Sequence, residues 1–321
     1  LVLACIMALM LSFVGFVQSW NLAFSLLNMC LISAIMSLGV NIQWGYAGLF
    51  NAGVMGFAAL GGLAAVLVSM DPVPAALAAG GGGIGLGLII GLVTIFTNIY
   101  LWKRTKSQGQ KRYWLIALVV VTGYSLMRLV IDPSVVAIEA VDPALTGYLG
   151  GLGLPIVLSW LVGGLFAAAA AWVVGKIALG LRSDYLAIAT LGISEIILYV
   201  LKFEDWLTRG VKNVNGLPRP VPYEVGLQEA VWFQEITTHF NLSIVEASSL
   251  LVKLCYAGLF LIVLLTIIWL SETALQGPWG RMMRAIRDNE VAANAMGKNV
   301  TWRHLQVFVL GSAVIGIAGA M

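Results

Sequence analysis

Residues 252–271 read VKLCYAGLFLIVLLTIIWLS. Beyond Lys253 the run carries no charge. It is long enough to cross about 30 Å of hydrocarbon, which takes roughly 20 apolar residues in a helix. Eight further runs of the same character lie at about 1–19, 22–41, 46–68, 80–102, 113–131, 152–175, 185–201 and 304–321. The whole chain of 321 residues is 60% hydrophobic and 10% charged, with a mean hydropathy of +0.95. A soluble domain carries about 25% charged residues, so one water-facing core cannot hide this much apolar surface. The fold class that follows is all-α: a polytopic transmembrane helix bundle of about nine spans. Leu1 already sits in an apolar run and Met321 ends an unfinished one. The chain is therefore expected to continue beyond both ends, and no basic stretch precedes Leu1 to suggest a cleaved signal peptide.

Lysine and arginine in short loops set the orientation. Loop 103–112 holds Lys103, Arg104, Lys106, Lys111 and Arg112; loop 176–184 holds Lys176 and Arg182. Segment 272–303 holds Arg281, Arg284, Arg287, Lys298 and Arg303. Two spans separate each of these loops from the next, so twelve of the eighteen basic residues share one side. The alternating short loops 69–79 and 132–151 hold none. The basic side is read as cytoplasmic. The opposite side carries one long segment, 202–251, with Pro218, Pro220 and Pro222 and an aromatic, acidic stretch around Trp232, Phe233 and Glu235. A short amphipathic helix is expected near 242–251.

Small residues crowd the spans. Ala75–Gly91 reads AALAAGGGGIGLGLIIG, and Gly53, Gly56, Gly61 and Gly62 stripe the third run. In lipid such stripes let helix backbones approach closely, so bundle packing is the expected role. Asn41, Gln43, Tyr46 and Asn51 surround Gly45 and Gly48. Two readings fit: a broken helix lining a substrate path, or a wetted turn between two full spans. Glu195 is the acidic residue well inside a predicted span. It either faces the path or braces helices by bonding Thr190 or a neighbouring span. Cys5, Cys30 and Cys255 all lie in apolar runs and read as packing residues.

No nucleotide-binding loop, GxSxG or HExxH occurs, and His239 and His304 fall on opposite sides of the bilayer. Neither a catalytic residue nor a metal site is expected. The informative polar element is Gly277–Val300, GPWGRMMRAIRDNEVAANAMGKNV, between two spans. Gly277-Pro278 and Gly297 are start and stop signals for one amphipathic helix, with Met282, Ile286, Ala293 and Met296 near one face. That helix either docks a cytosolic partner or is a solvated loop with basic anchors.

The stretch from Glu290 through Ala292 and Ala293 to Gly297 resembles the EAA loop of ABC importer permeases. Two other blocks resemble the LivM-type subunit of the branched-chain amino acid family within that class. Ser37–Gly62 reads SLGVNIQWGYAGLFNAGVMGFAALGG, and Leu181–Leu201 reads LRSDYLAIATLGISEIILYVL. The chain departs from the pattern in lacking an Ile-x-Leu-Pro after the loop. It also has Asn51 and Val54 where relatives often carry Ser and His.

The resemblance implies a single permease domain over 1–321 in the bacterial inner membrane, moving branched-chain or similar small amino acids by ATP-driven alternating access. Urea, short amides or sugars are the alternative cargoes, and ion-coupled secondary transport is the alternative mechanism. Implied partners are a second, dissimilar permease, two ATPase subunits holding ATP and Mg, an extracytoplasmic substrate-binding protein and lipid, with no nucleic acid. The implied coupling residues are Arg284, Arg287, Asp288, Glu290, Ala292, Ala293 and Gly297. The candidate path residues are Asn41, Gln43, Tyr46, Gly48, Asn51, Thr190 and Glu195.

The orientation has a direct check. Impermeant maleimide added to intact cells is expected to label Lys212→Cys and spare Lys106→Cys. The reverse pattern would invert the topology.

Overall fold

The computed structural model describes residues 2–105, 110–142, 147–181, 183–210, 212, 214–239 and 243–321. Lys106, Arg182 and residue 242 of the sequence readings lie outside that set. Among the described residues the regular structure is helical, with one isolated bridge between Pro72 and Gly150.

The apolar helices are α1 (Val2–Val17), α2 (Trp20–Asn41), α3 (Val54–Ser69), α4 (Pro74–Arg104), α5 (Gln110–Glu139), α6 (Ile156–Ala178), α7 (Ser183–Phe203), α8 (Ile244–Gln276) and, after two short helices, a last one at Val300–Ala320. The short helices are α9 (Pro278–Asp288) and α10 (Glu290–Ala295), so the last is α11. Among the described residues seven of these are long and apolar enough to cross a membrane, and Ile6–Val17 and Val54–Ser69 are shorter. The nine expected runs are thus all helical, but seven rather than nine reach spanning length. For α3 the reason is local. The run read as 46–68 starts at the end of a π turn and is non-helical from 48 to 53, leaving a helix of 16 residues, Val54–Ser69. At 1.5 Å per residue that is about 24 Å.

Side-chain caps fix several starts. Ser19 accepts from the Leu22 amide at α2, and Ser243 from the Glu246 amide at α8. The second cap corrects the separate amphipathic helix expected near 242–251. Nothing between Ile244 and Val252 breaks a helix, so those turns propagate directly into the 33-residue α8.

The chain divides into two compact units: 1–69, 154–199 and 217–321 in the first, 70–153 and 200–216 in the second. In the first, α11 runs through the middle of the packing. Val307, Phe308 and Ile315 are fully buried. Phe308 meets Phe57 edge-to-face at 5.8 Å between centroids. Glycines set the helix spacing. A Cβ at Gly61 would strike the Gly316 carbonyl, one at Gly316 the Ala167 side chain, and one at Gly163 would come within 3.1 Å of the Gly61 Cα. So α3, α6 and α11 touch backbone to backbone, the packing expected of small residues in lipid. Residues 217–239 fold as two short helices, Glu224–Glu229 and Val231–His239. They cover the start of α8 through Val221, Leu227, Phe233, Ala247 and Val252.

The second unit pairs α4 with α5. Its glycine run is helical, with a π turn at Leu77–Gly81, and a Cβ at Gly80, Gly83 or Gly87 would strike Ser134, Ile138 or Ile131. Residues 205–208 form a short helix there, and the Leu149 amide donates to the Trp206 carbonyl at 3.1 Å.

Gly61→Val is expected to lower folded yield and unfolding temperature in detergent, at the roughly 1–3 kcal/mol typical of overpacking. Gly82→Ala, whose Cβ would meet nothing within 4 Å, is expected to melt at or slightly above the parent temperature. Equal melting of the two variants would refute the close-packing account.

Candidate functional site

Helix α2 does not end cleanly. It passes into a π turn at Ile42–Tyr46, and the chain then leaves helical geometry until Val54. Gly48 sits at φ +72, the left-handed region where glycine carries no Cβ penalty. The backbone groups freed here find protein partners one by one. The Gly48 amide donates to the Trp44 carbonyl and the Leu49 amide to the Gln43 carbonyl, both at 3.0 Å. The Ala52 amide donates to Thr190 Oγ1 (3.1 Å), the Gly53 amide to Asn51 Oδ1 (2.9 Å) and the Gly56 amide to Ser194 Oγ (2.8 Å).

Two buried amide side chains complete the knot. Gln43, at 0% exposure, donates from Nε2 to the Phe308 carbonyl (2.8 Å) and to Ser312 Oγ (2.9 Å). Its Oε1 accepts from Asn51 Nδ2 at 2.9 Å. Asn51, Thr190, Ser194 and Ser312 are buried as well. Phe308 and Ser312 lie eight and twelve residues past Val300, about 12 and 18 Å along α11. The buried side of the break is therefore held by α11 well along the length of that helix.

The sequence-predicted path residues separate into two groups. Gln43, Asn51 and Thr190 come together in the knot. Asn41, Gly48 and Glu195 are exposed on the chain surface, and Tyr46 is half-buried. Glu195 does not brace Thr190. The two are five residues apart on α7, on different faces, and the Thr190 hydroxyl donates to the Ala187 carbonyl while accepting from Ala52. Ser194, four residues on from Thr190, shares its face and takes the partnership instead. Ser194 and Ser312 were not singled out from sequence. For Ser194 the i,i+4 spacing from Thr190 was the available signal; for Ser312 no local signal existed.

Beneath the break sits the 277–300 element. It is two helices rather than one. Asn289 leaves helical geometry at φ −156 and its Oδ1 accepts from the Ala292 amide at 2.9 Å, capping α10. Met283 and Ile286 of α9 are buried with Ala47, Leu49, Leu186 and Val300. Met283 thus holds the core position, with Met282 half-buried beside it, and Met296 is exposed rather than on the packed face. Arg287, in the last turn of α9, donates from Nη1 to the Gly45 carbonyl inside the π turn. Arg284 donates to the Leu275 carbonyl at 3.4 Å. Asp288, Glu290 and Ala292 are exposed, and Ala293 is half-buried against the core. Gly297, at φ +75, closes α10. Its amide donates to the Asn294 carbonyl (2.9 Å) and the Lys298 amide to the Ala293 carbonyl (3.2 Å), a Schellman ending. On α10 Val291 and Met296 are each 80% exposed, an apolar pair at the surface.

The arrangement places no nucleophile beside a base, and among the described residues no three metal-ligating side chains converge. It holds a helix pair against the break in the bundle, through Met283, Ile286 and Arg287. Gln43→Leu is expected to destabilise the folded chain by about 1–3 kcal/mol for each buried polar group it leaves unpaired. Asn41→Ala, at an exposed position, is expected to change little. Thermal unfolding in detergent separates the two, and identical curves would refute the clasp.

The family model described as branched-chain amino acid transport system / permease component matches residues 113–321. The chain is 30% identical over 210 residues to the high-affinity branched-chain amino acid transport system permease protein LivM of Escherichia coli K12, covering 64% of this chain and 48% of that protein. The Salmonella typhimurium LivM gives the same identity and coverage. A probable branched-chain amino acid transport permease protein LivM of Methanocaldococcus jannaschii is 24% identical over 168 residues, 52% of this chain and 39% of the relative. The chain thus spans about half the length of the curated relatives it matches. No solved structure matches it. With the matched region taking in α5 to α11, this multi-pass inner-membrane chain belongs to the branched-chain amino acid transport permease family.

Proposed function

We propose that this chain is the membrane subunit of an ATP-driven importer that moves branched-chain amino acids by alternating access. One observation carries the reading: α9 and α10 pack from below onto the break in the bundle, with Met283 and Ile286 buried there and Arg287 bonded to the Gly45 carbonyl. A force applied to this helix pair reaches the irregular backbone of the break directly. In this reading ATP, Mg and hydrolysis belong to separate ATPase subunits, and the force on the helix pair comes from them. This subunit is not a catalyst.

The parts take distinct roles in this reading. Val291 on α10 and Met296 at its C-cap are exposed and, with Asp288 and Glu290, are the residues offered to an ATPase cleft; exposed apolar side chains with charged neighbours suit a protein contact. Ala293 and Gly297 shape the short helix that carries this face. Gln43, Asn51 and Thr190 hold the break, while Asn41, Tyr46, Gly48 and Glu195 face the path, which a second, dissimilar permease completes. An extracytoplasmic binding protein delivers cargo to the surface built around 217–251.

The experiment is a pair of uncoupling variants in a reconstituted complex. Val291→Glu puts a charge into the proposed contact. It is expected to cut ATPase copurification and uptake by more than an order of magnitude, the effect of losing an interface hot spot. Arg287→Ala is expected to keep the ATPase bound and hydrolysing while uptake falls. Undiminished ATPase binding and uptake in Val291→Glu would defeat the reading.

A further inference from the structure

A groove of about 350 Å³ runs between α8 and α11, beside the break. Ile42, Ile267, Leu270, Ala274, Leu310 and Val314 line it, with Trp279 of α9 among the lining residues. Leu270 and Leu310 are each at least half exposed there, so the groove opens outward from the bundle. On α8 it extends over nine residues, Ile267 to Leu275, or eight helical steps. That is about 12 Å of helix, close to the roughly 15 Å of hydrocarbon in a single leaflet. A helix of a partner protein crossing the bilayer would need a seam about twice as long.

The lower end of the groove is basic. Arg284 donates to the Leu275 carbonyl at 3.4 Å and Arg281 to the Gln276 carbonyl at 3.2 Å. Each guanidinium has five donors, so most remain available after one carbonyl contact. Both arginines are exposed, and among the described residues no ion pair neutralises either. Glu272 is the carboxylate nearby on the last turns of α8; it is exposed and does not line the groove. Trp279 donates from Nε1 to Gln306 Oε1 at 3.4 Å with its ring on the apolar side, the pose of an interfacial tryptophan.

We propose that this groove holds an acyl chain of an anionic phospholipid from the leaflet on the basic side, with the phosphate on Arg281 and Arg284. Length selects a single-leaflet lipid tail, and the two guanidiniums select a negative headgroup. The inference needs only the orientation given by the basic loops, and it holds whether or not the importer reading does.

Native mass spectrometry of the full chain tests it, with phosphatidylglycerol or phosphatidylcholine added to delipidated protein. The parent is expected to retain phosphatidylglycerol preferentially, by about fivefold per arginine, the gain of a basic residue at an anionic surface. Arg281→Gln with Arg284→Gln is expected to abolish that preference and leave tail binding. Ala274→Trp, which fills the groove, is expected to reduce retention of both lipids. Equal retention of the two lipids by the parent, or an unchanged preference in the double arginine variant, would overturn the proposal. So would efficient cross-linking of Ala274→Cys to another subunit in native membranes.

Discussion

Inside lipid a freed backbone amide has no water to turn to, and each one left unpaired costs several kcal/mol. Between residues 42 and 53 this chain frees a run of them in one place. The buried amide of Gln43 is the interaction that makes this tolerable. It ties the π turn to the α11 carbonyl at Phe308 and to Ser312, and through Asn51 it reaches the start of α3. The surrounding helices are constrained by it. A Cβ at Gly311 would come within 2.9 Å of the Gln43 amide carbon, so α11 needs a glycine beside the knot. Helix α7 must present hydroxyls at 190 and 194, on one face, to take the amides of Ala52 and Gly56.

The same knot explains why the 277–300 element seats where it does. The apolar underside of the break, Ala47 and Leu49, is buried in one cluster with Met283 and Ile286. Burying two such side chains contributes about 1.5–3 kcal/mol each, enough to fix α9 on the bundle. Helix α10 has no buried residue and is held by its caps at Asn289 and Gly297. The pair is thus graded, with α9 anchored and α10 presented. A grip on α10 would be felt at α9 and, through Arg287, at the Gly45 carbonyl. Family membership and this geometry point the same way, the one from sequence identity and the other from packing.

Between the buried helices different forces operate. Glycine contacts bring α3, α6 and α11 together without any apolar driving force from the solvent, because lipid is as apolar as the side chains. Where no helix fills the gap, as between α8 and α11, the groove remains available to the solvent itself, and its basic rim distinguishes one lipid from another.

By itself the sequence determined the class of fold, the positions of the nine apolar helices, the small-residue packing and the place of the 277–300 element. Those properties are local: apolar length, charge in loops and glycine spacing are each read within some twenty residues. It also pointed to Gln43, Asn51 and Thr190 as special, because uncharged polar side chains are conspicuous in an apolar span. It gave Glu195 a prominence that the fold assigns to Ser194, since charge is visible in a sequence and helix face toward a distant neighbour is not. Only the tertiary structure decided that Gln43 and Thr190 take up groups freed at the break and that Arg287 reaches the π turn. Each of these depends on partners far along the chain, 265 residues from Gln43 to Phe308 and 138 from Ala52 to Thr190. Hydrogen bonds at that separation leave no periodic trace in either segment, and they exist only once the helices have packed.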